Sequence, residues 1–386
     1  DRRASGDSFR HLSKGDPMTP RQRVQAVYQG KTPDQVPLML DLSHWYKKNY
    51  NVFFDLRGFQ QVDQRLVDLH KQFNAVAYCE MGGHFDLRFT DDSVSSRSWT
   101  DADGVFHTEI VTPLGRLEEQ RVFEPASYSY NIKKHLLESV DDFDVVCHLM
   151  DRTTATPRFD RYKAWQDALG ELAFIYCQLP YSGFGYLLSR HFGVEKTCMA
   201  VFDHPEKVRR LVDSVNACNL RILETLIDGP FEVLFVSDNF DGNVHPPAFF
   251  DEYTRPYYSE VARRVHTAGK HFAVHVDGEM RGCLRNMAEC GVDCIDAATP
   301  APMFALTPQQ AREQAGPDLI LSGGIPANVF GTTGTDAQFV ECVKNWLETR
   351  HTSPRLIMAA GDQVPTDAPR HRIEMLPKLI EQFGRY

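Results

Sequence analysis

Short apolar segments alternate along the chain with longer stretches in which apolar residues recur every three or four positions. The short segments are residues 36–42 (VPLMLDL), 75–81 (AVAYCEM), 174–180 (FIYCQLP), 232–238 (EVLFVSD), 271–277 (HFAVHVD), 294–299 (CIDAAT), 319–325 (LILSGGI) and 356–362 (LIMAAGD). They are apolar nearly throughout rather than every second residue, the pattern of parallel strands covered on both faces. Helical spacing fills the gaps at 61–73, 195–227, 248–268, 279–290, 308–315, 337–350 and 369–383. Thr307 followed by Pro308 predicts an N-cap with proline in the first helical position. Gly269 and Gly291 stand where helices are expected to end. Repeated strand-then-helix units predict an α/β protein, a single (β/α)8 TIM barrel. The rival is an open doubly wound sheet. No GxGxxG follows the first strand, which weakens a dinucleotide-binding version of it.

One interval breaks the period. About 90 residues separate the second and third runs, far more than an ordinary connection. Within it, residues 97–123 alternate and carry turn signals at Ala102-Asp103-Gly104 and Pro113-Leu114-Gly115. This predicts a β-rich insertion after the second strand, over about 82–173, a hairpin or small sheet placed as a lid over the barrel mouth.

Charge and cysteine usage narrow the function. Lys and Arg number 42 and Asp and Glu 52, a net charge of −10. An acidic surface repels phosphate backbones, so neither nucleic acid nor an anionic membrane surface is an expected partner. No apolar run reaches the length of a membrane span. Residues 1–17 are polar and lack the apolar core of a signal peptide. They read as a solvated arm before a folded domain at 18–386. The nine cysteines are scattered, odd in number and without a CxxC pair, which points to free thiols in a reducing cytoplasm.

Barrel chemistry sits at the C-terminal ends of strands, and here those ends are polar and mostly acidic. Asp41 ends the first run and Glu80 the second. Gln178 lies near the third end, Asp238 ends the fourth, and His275 and Asp277 end the fifth. Asp296 and Thr299 lie on the sixth, Ser322-Gly323-Gly324 on the seventh and Asp362 on the eighth. Several carboxylates in one cavity require compensation by cations or hydrogen bonds, and a divalent metal supplies it.

His275 and Asp277 are two apart on a strand and project to one face, so they can approach the same ion. The other reading is a hydrogen-bonded pair lining a polar pocket. Asp362 is the distant partner across the mouth, or an N-cap of the last helix. Of Asp238 and Asp241, one reads as ligand or general acid/base and the other as a turn cap. Glu80 is a ligand, an acid/base or a salt-bridge member. His44, Trp45 and Tyr46 form either an aromatic substrate wall or packing. Ser322-Gly323-Gly324 resembles a phosphate-binding loop. No GxSxG nucleophile motif occurs, and Cys79 reads as a core thiol.

In order along the chain, several of these residues resemble the uroporphyrinogen decarboxylase superfamily, from about residue 19 to 383. The carriers are Thr32-Pro33-Asp34-Gln35-Val36-Pro37, Gln178-Leu179-Pro180-Tyr181-Ser182 with Tyr186, Asp238-Asn239-Phe240-Asp241-Gly242, Arg255-Pro256-Tyr257, His275-Val276-Asp277-Gly278, Ser322-Gly323-Gly324-Ile325-Pro326 and Gly361-Asp362-Gln363-Val364-Pro365. The resemblance implies a single (β/α)8 barrel and a homodimer. It also marks departures. The decarboxylase holds substrate carboxylates with two arginines after its first strand, and Asp41 and Trp45 stand there in this chain. Its histidine after the last strand is matched by Asp362, and only its tyrosine has a counterpart, Tyr186.

The methyltransferase branch carries His-x-Cys-Gly on the fifth strand and Gly-Cys after the eighth. Here His275 matches and the cysteines become Asp277 and Asp362. The resemblance therefore implies a divalent metal, zinc foremost, at His275, Asp277 and Asp362. The ion would be harder and more Lewis acidic than one held by thiolates. It also implies a small methylated or hydroxylated organic substrate and a corrinoid protein as methyl carrier. Glu80, Asp238, Asp241 and Tyr186 are the expected catalytic residues. Asp41, His44, Trp45, Tyr46, Tyr181 and Phe184 are the expected substrate contacts. A metal-assisted decarboxylase, lyase or hydrolase without corrinoid is the alternative.

Overall fold

Apolar runs without alternation need cover on both faces, and the sheet they build has it. A computed structural model describes residues 17–78 and 83–386. Six of the predicted runs form one parallel sheet in chain order: Cys177–Leu179, Val233–Val236, His271–His275, Cys294–Ala298, Ile320–Ile325 and Leu356–Ala360. Register pairs Cys177 with Leu234, Val233 with His271, Ala273 with Cys294, Cys294 with Ile320 and Leu321 with Leu356. One face carries Val233, Phe235, Ala273, Cys294, Ile320 and Ile357 into an inner apolar cluster. The alternate residues Leu234, Val236, Phe272, Val274, Ile295 and Leu321 pack outward beneath the helices.

The first two runs make isolated parallel bridges instead of full strands: Leu38 with Met358, Met39 with Val76, and Ala77 with Ala173. Their hydrogen bonds carry the ladder onward from the Leu356–Ala360 edge. Met39 N–H donates to Met358 O (3.0 Å), Leu40 N–H to Val76 O (3.0 Å) and Tyr176 N–H to Tyr78 O (2.7 Å).

Helix signals are met at Thr307, Gly269 and Gly291, while the stretch 195–227 forms two helices, Val194–Asp203 and Pro205–Leu226, divided ahead of Pro205. Thr307 caps Pro308–Ala315 with a reciprocal Gln310 capping box, and Thr335 does the same with Gln338 for Asp336–Glu348. Gly269 (φ +70°) and Gly291 (φ +87°) leave their helices in left-handed backbone. The eight described cysteines are free.

The insertion holds a four-stranded antiparallel sheet, Ser95–Thr100, Val105–Thr112, Gly115–Glu124 and Ser129–Lys134, with turns at both predicted places, together with the antiparallel pair Phe85–Phe89 and Thr153–Pro157 and the helices Phe143–Asp151 and Phe159–Leu169. Besides the helix Phe143–Asp151, the sheet meets residues that follow strand C-termini. Lys48 Nζ and Thr366 Oγ1 both donate to Ala126 O, and the Phe54 ring faces Tyr130. The sheet therefore borders the end of the fold where barrel chemistry is expected.

Ser322-Gly323-Gly324 belongs to the strand and not to an anion-binding loop. A Cβ on Gly323 meets the Ala298 backbone, and one on Gly324 (φ +110°) meets the Trp346 ring. Close packing of strand on strand and helix on strand explains both glycines. Gly324→Ala is expected to lower stability by about 3 kcal/mol through steric overlap and backbone strain, read as a drop in the urea midpoint at unchanged slope.

Candidate functional site

The strand C-termini open on a cleft of about 210 Å³ lined by Asp41, Tyr78, Gln178, Tyr181, Phe235, Ser237, Asn239, His275, Asp277, Asp296, Asp362 and Gln363. Four carboxylates and one imidazole share this space. Among the described residues that line it there is no arginine or lysine. The convergence of His275, Asp277 and Asp362 expected from the sequence is present.

His275 is the hinge of the arrangement. Its position on the inner face of the fifth run follows from strand alternation, since Ala273 two residues earlier points into the inner cluster. Its Nδ1 lies 2.9 Å from Asp296 Oδ2, and its Nε2 is 3.6 Å from Asp362 Oδ1. Asp296 is only 1% exposed. Burial works against charge on the ring. The Asp296 hydrogen bond and the charges of Asp362, Asp296 and Asp277 outweigh it and push the His275 pKa up to about 9. Asp277 moves the other way from an ordinary carboxylate. Burial, joined by the charges of Asp362 and Asp241, exceeds the pull of His275 and raises it to about 6.

Two backbone irregularities lie beside these groups. The pairing of Cys294–Ala298 with Ile320–Ile325 slips between Ile295 and Ala298, and Ala297 takes φ +63°. A non-glycine residue held there marks a bulge just past Asp296, whose own inward direction follows from strand alternation two residues after Cys294. Asn239 also has positive φ (+48°). Its amide donates to Asp277 Oδ2 at 3.3 Å, and its Oδ1 accepts from Tyr181 O–H at 3.3 Å. Gln178 donates to Ser237 Oγ at 2.7 Å on the facing wall. Asp296 and Gln178, read from the sequence only as polar strand ends, and Asn239 and Ser237 line the cleft and are not among the expected catalytic, substrate and metal residues. The available signal was an acid or amide inside an otherwise apolar run, most plainly Asp296 in CIDAAT.

Other expected residues lie elsewhere. Asp41 lines the cleft, with Oδ1 accepting from Ser43 N–H at 2.8 Å. Trp45 and Tyr46 are core residues. The Trp45 indole donates to Ala368 O and packs on Phe73, while Tyr46 O–H donates to Asp63. Their apolar bodies pack in the main core between sheet and helices, so the aromatic wall expected there gives way to packing. His44 packs on Phe54, and burial with the nearby Lys47 charge holds its pKa down at about 4. Phe184 is fully buried and stacks on Tyr253.

Tyr186 sits against His191 outside the cleft lining. Asp238 is turned into the protein body, its Oδ1 accepting from Ser182 N–H (2.6 Å) and its Oδ2 from Tyr258 O–H (2.7 Å). Asp241 accepts from Asn243 N–H (2.8 Å) and Glu279 N–H (3.2 Å) and fills the space a Gly278 side chain would need. Glu80 lies outside the described residues.

One donor pair, His275 and Asp362, stands at a separation that a shared divalent cation could bridge. Two atoms bound to one ion at about 2.1 Å each stand roughly 3.3 Å apart, close to the His275–Asp362 separation of 3.6 Å. Asp296 holds Nδ1, which leaves Nε2 toward the cleft, the carboxylate–imidazole relay that orients metal-binding histidines. Among the described residues no three His, Cys, Asp or Glu side chains are already drawn together at metal-binding geometry.

Two outcomes follow for the metal-free protein. A raised His275 pKa contributes stability that is complete below the ordinary histidine value and is lost as pH rises through about 9. Asp296→Asn is expected to bring His275 down toward 6.5 and to weaken this pH dependence, with the charges of Asp362 and Asp277 remaining, as followed by histidine NMR and urea unfolding at pH 6 and pH 10. Asp238→Ala is expected to cost about 3 kcal/mol in stability, because it strands Ser182 N–H and Tyr258 O–H. Urea unfolding measures that loss.

No curated protein matches this sequence. Among solved structures, a methyltransferase from Methanosarcina mazei superposes with a TM-score of 0.65 at 13% identity, over 95% of this chain and 99% of that one. That likeness is one of fold. The model of the family described as uroporphyrinogen decarboxylase (URO-D) matches residues 159–383, the part of the chain that carries all six parallel strands and His275, Asp277, Asp296 and Asp362. The chain belongs to the uroporphyrinogen decarboxylase family.

Proposed function

We propose that this chain is a metal-dependent enzyme of the methyltransferase type, acting on a small methylated or hydroxylated organic substrate with a corrinoid protein as methyl carrier. The observation that carries the reading is the cleft charge: Asp41, Asp277, Asp296 and Asp362 around His275, with no arginine or lysine in the described lining. A site of this sign attracts cations and repels the polycarboxylate substrate of the decarboxylase, whose two clamp arginines are replaced by Asp41 and the buried Trp45. The fold shared with the Methanosarcina mazei methyltransferase supports the same branch. We also propose a closed eight-stranded barrel, supported by the bridges at Leu38, Met39 and Ala77. The free cysteines support a cytoplasmic setting. None of the helices among the described residues is long and apolar enough to cross a membrane.

His275, Asp277 and Asp362 would hold the ion. When bound, a divalent ion there supplies Lewis acidity toward an oxygen, nitrogen or sulfur of the substrate. Asp296 fixes the His275 ring, and Asn239 fixes the Asp277 carboxylate while tying it to the Tyr181 hydroxyl. With Asp238 turned inward, Asp41 is the cleft carboxylate left to exchange a proton with substrate. Phe235 and Tyr181 supply the apolar wall that excludes water from the reacting group.

Elemental analysis and Zn²⁺ titration test the metal. About one ion per chain is expected in the wild type, falling to background in His275→Ala and Asp362→Ala. A fully active, metal-free enzyme sinks the reading. Methyl transfer that requires an added corrinoid protein supports the methyltransferase assignment. Turnover without any methyl carrier favours the metal-assisted lyase or hydrolase.

A further inference from the structure

The enclosed arginines of this protein are unequal. Arg312 is 1% exposed and donates to Gly316 O, Leu319 O and Arg355 O. Arg372 donates to Asp336 and to the carbonyls of Val329, Phe330, Gly331 and Gly334. Arg121, also buried, pairs with Glu119 Oε2 at 2.6 Å. A guanidinium removed from water needs acceptors, and these three have them.

Arg190 does not. It lies on the wide π-helical turn Tyr186–His191, half-buried, and its guanidinium makes no hydrogen bond or ion pair among the described residues. The turn is fixed from the insertion side, where His135 Nδ1 donates to Arg190 O (3.3 Å) and Leu137 N–H to His191 O (2.9 Å).

The groups around Arg190 leave it uncompensated. Glu119 and Arg121 come from one face of the Gly115–Glu124 strand, and Glu119 is shared between Arg121 and His191, whose Nδ1 is 3.4 Å from Glu119 Oε1. Burial holds His191 toward its neutral form. The cluster thus contains two guanidinium charges and one carboxylate. Burial and the Arg121 charge disfavour the protonated form of Arg190, and the charge of Glu119, already paired with Arg121, opposes them without reversing the shift. Ser189 and Tyr181 join this cluster to the cleft. Ser189 Oγ, beside Arg190, donates to Asp238 O (2.9 Å), next to Asn239 of the cleft lining. Tyr181, which also lines the cavity, donates to Asn239 Oδ1 (3.3 Å) and feels the charges of Arg190 and Arg121 as well as those of Asp238 and Asp277.

We infer that Arg190 forms an anion subsite at the rim of the cleft that takes the carboxylate of a small organic acid substrate, holding that end away from the acidic floor while the reacting group reaches it. The inference rests on the proposed function for the chemistry at the floor, and it adds the substrate class. A planar carboxylate suits the two-donor fork of a guanidinium.

Isothermal titration of benzoate, benzamide and inorganic phosphate into the full-length protein, Arg190→Gln and Arg190→Lys tests it, with circular dichroism reporting the fold of each. The expected pattern is benzoate binding in the wild type, weakened about tenfold or more in Arg190→Gln and partly restored in Arg190→Lys, with benzamide weak throughout. Should Arg190→Gln fail to fold, Arg190→Lys carries the same comparison with a smaller loss, about threefold, because an ammonium lacks the fork. Equal benzoate affinity in wild type and variants overturns the inference. So does equal affinity for benzamide, preference for phosphate over benzoate, or no benzoate binding to the wild type at millimolar concentration. Zn²⁺ titration separates the two readings. Arg190→Gln is expected to keep the wild-type Zn²⁺ affinity, and its loss together with that of benzoate overturns a separate subsite. If the wild type binds no Zn²⁺ yet binds benzoate through Arg190, the subsite stands and the metal assignment falls.

Discussion

The hydrogen bond between Asp296 and His275 is the constraint on which the cleft depends. It spans two adjacent parallel strands in regular register, Asp296 opposite His275, and strand alternation from inward-facing Cys294 turns Asp296 toward the cleft. Without that hydrogen bond, an acid in the run CIDAAT would have no partner within the apolar interior, and burial would oppose its charge. With it, the imidazole is fixed in one orientation, its second nitrogen faces Asp362, and the remaining carboxylates gather around a group that can carry positive charge or accept a cation in its place. The cost of the irregular backbone at Ala297, just past Asp296, is met by the surrounding sheet, whose pairing recovers at Ala298 and Gly323.

The architecture was legible because it rests on burial. Runs covered on both faces read as uninterrupted apolar segments, and six of the eight appear as parallel strands in the expected order. Capping at Thr307 and helix exit at Gly269 and Gly291 were legible because the chemistry is local. The His275, Asp277 and Asp362 convergence was legible from strand period and position. The direction of a side chain just beyond a strand was not. Asp238 and Asp277 each stand two residues past their strands, yet one is claimed by Ser182 and Tyr258 and the other lines the cleft. Trp45 and Tyr46 follow the first strand as a substrate wall would, but the helix they belong to turns them into the core. Such choices are set by tertiary partners that no local pattern encodes. Ala297 is the extreme case, since nothing in an alanine announces positive φ.

The cleft is electrostatically polarised. Its floor is acidic, while the turn bearing Arg190 beside Arg121 brings cationic groups to the side where the inserted sheet meets the strand ends. Tyr181 and Asn239 lie between the two, hydrogen-bonded to each other and to Asp277. A molecule entering such a field is oriented before it makes any contact, its negative end held outward and a neutral or electron-rich end admitted inward.

Floor and rim also have different origins in the chain. The floor is drawn from strand ends shared by the whole sheet, whereas Glu119 and Arg121 come from an antiparallel sheet inserted between the second and third runs. A segment attached in this way can lengthen, shorten or exchange residues without disturbing the parallel ladder. Diversification of this lineage is therefore free to proceed through the appended sheet, with new molecules accepted at the entrance while the inner machinery is inherited unchanged.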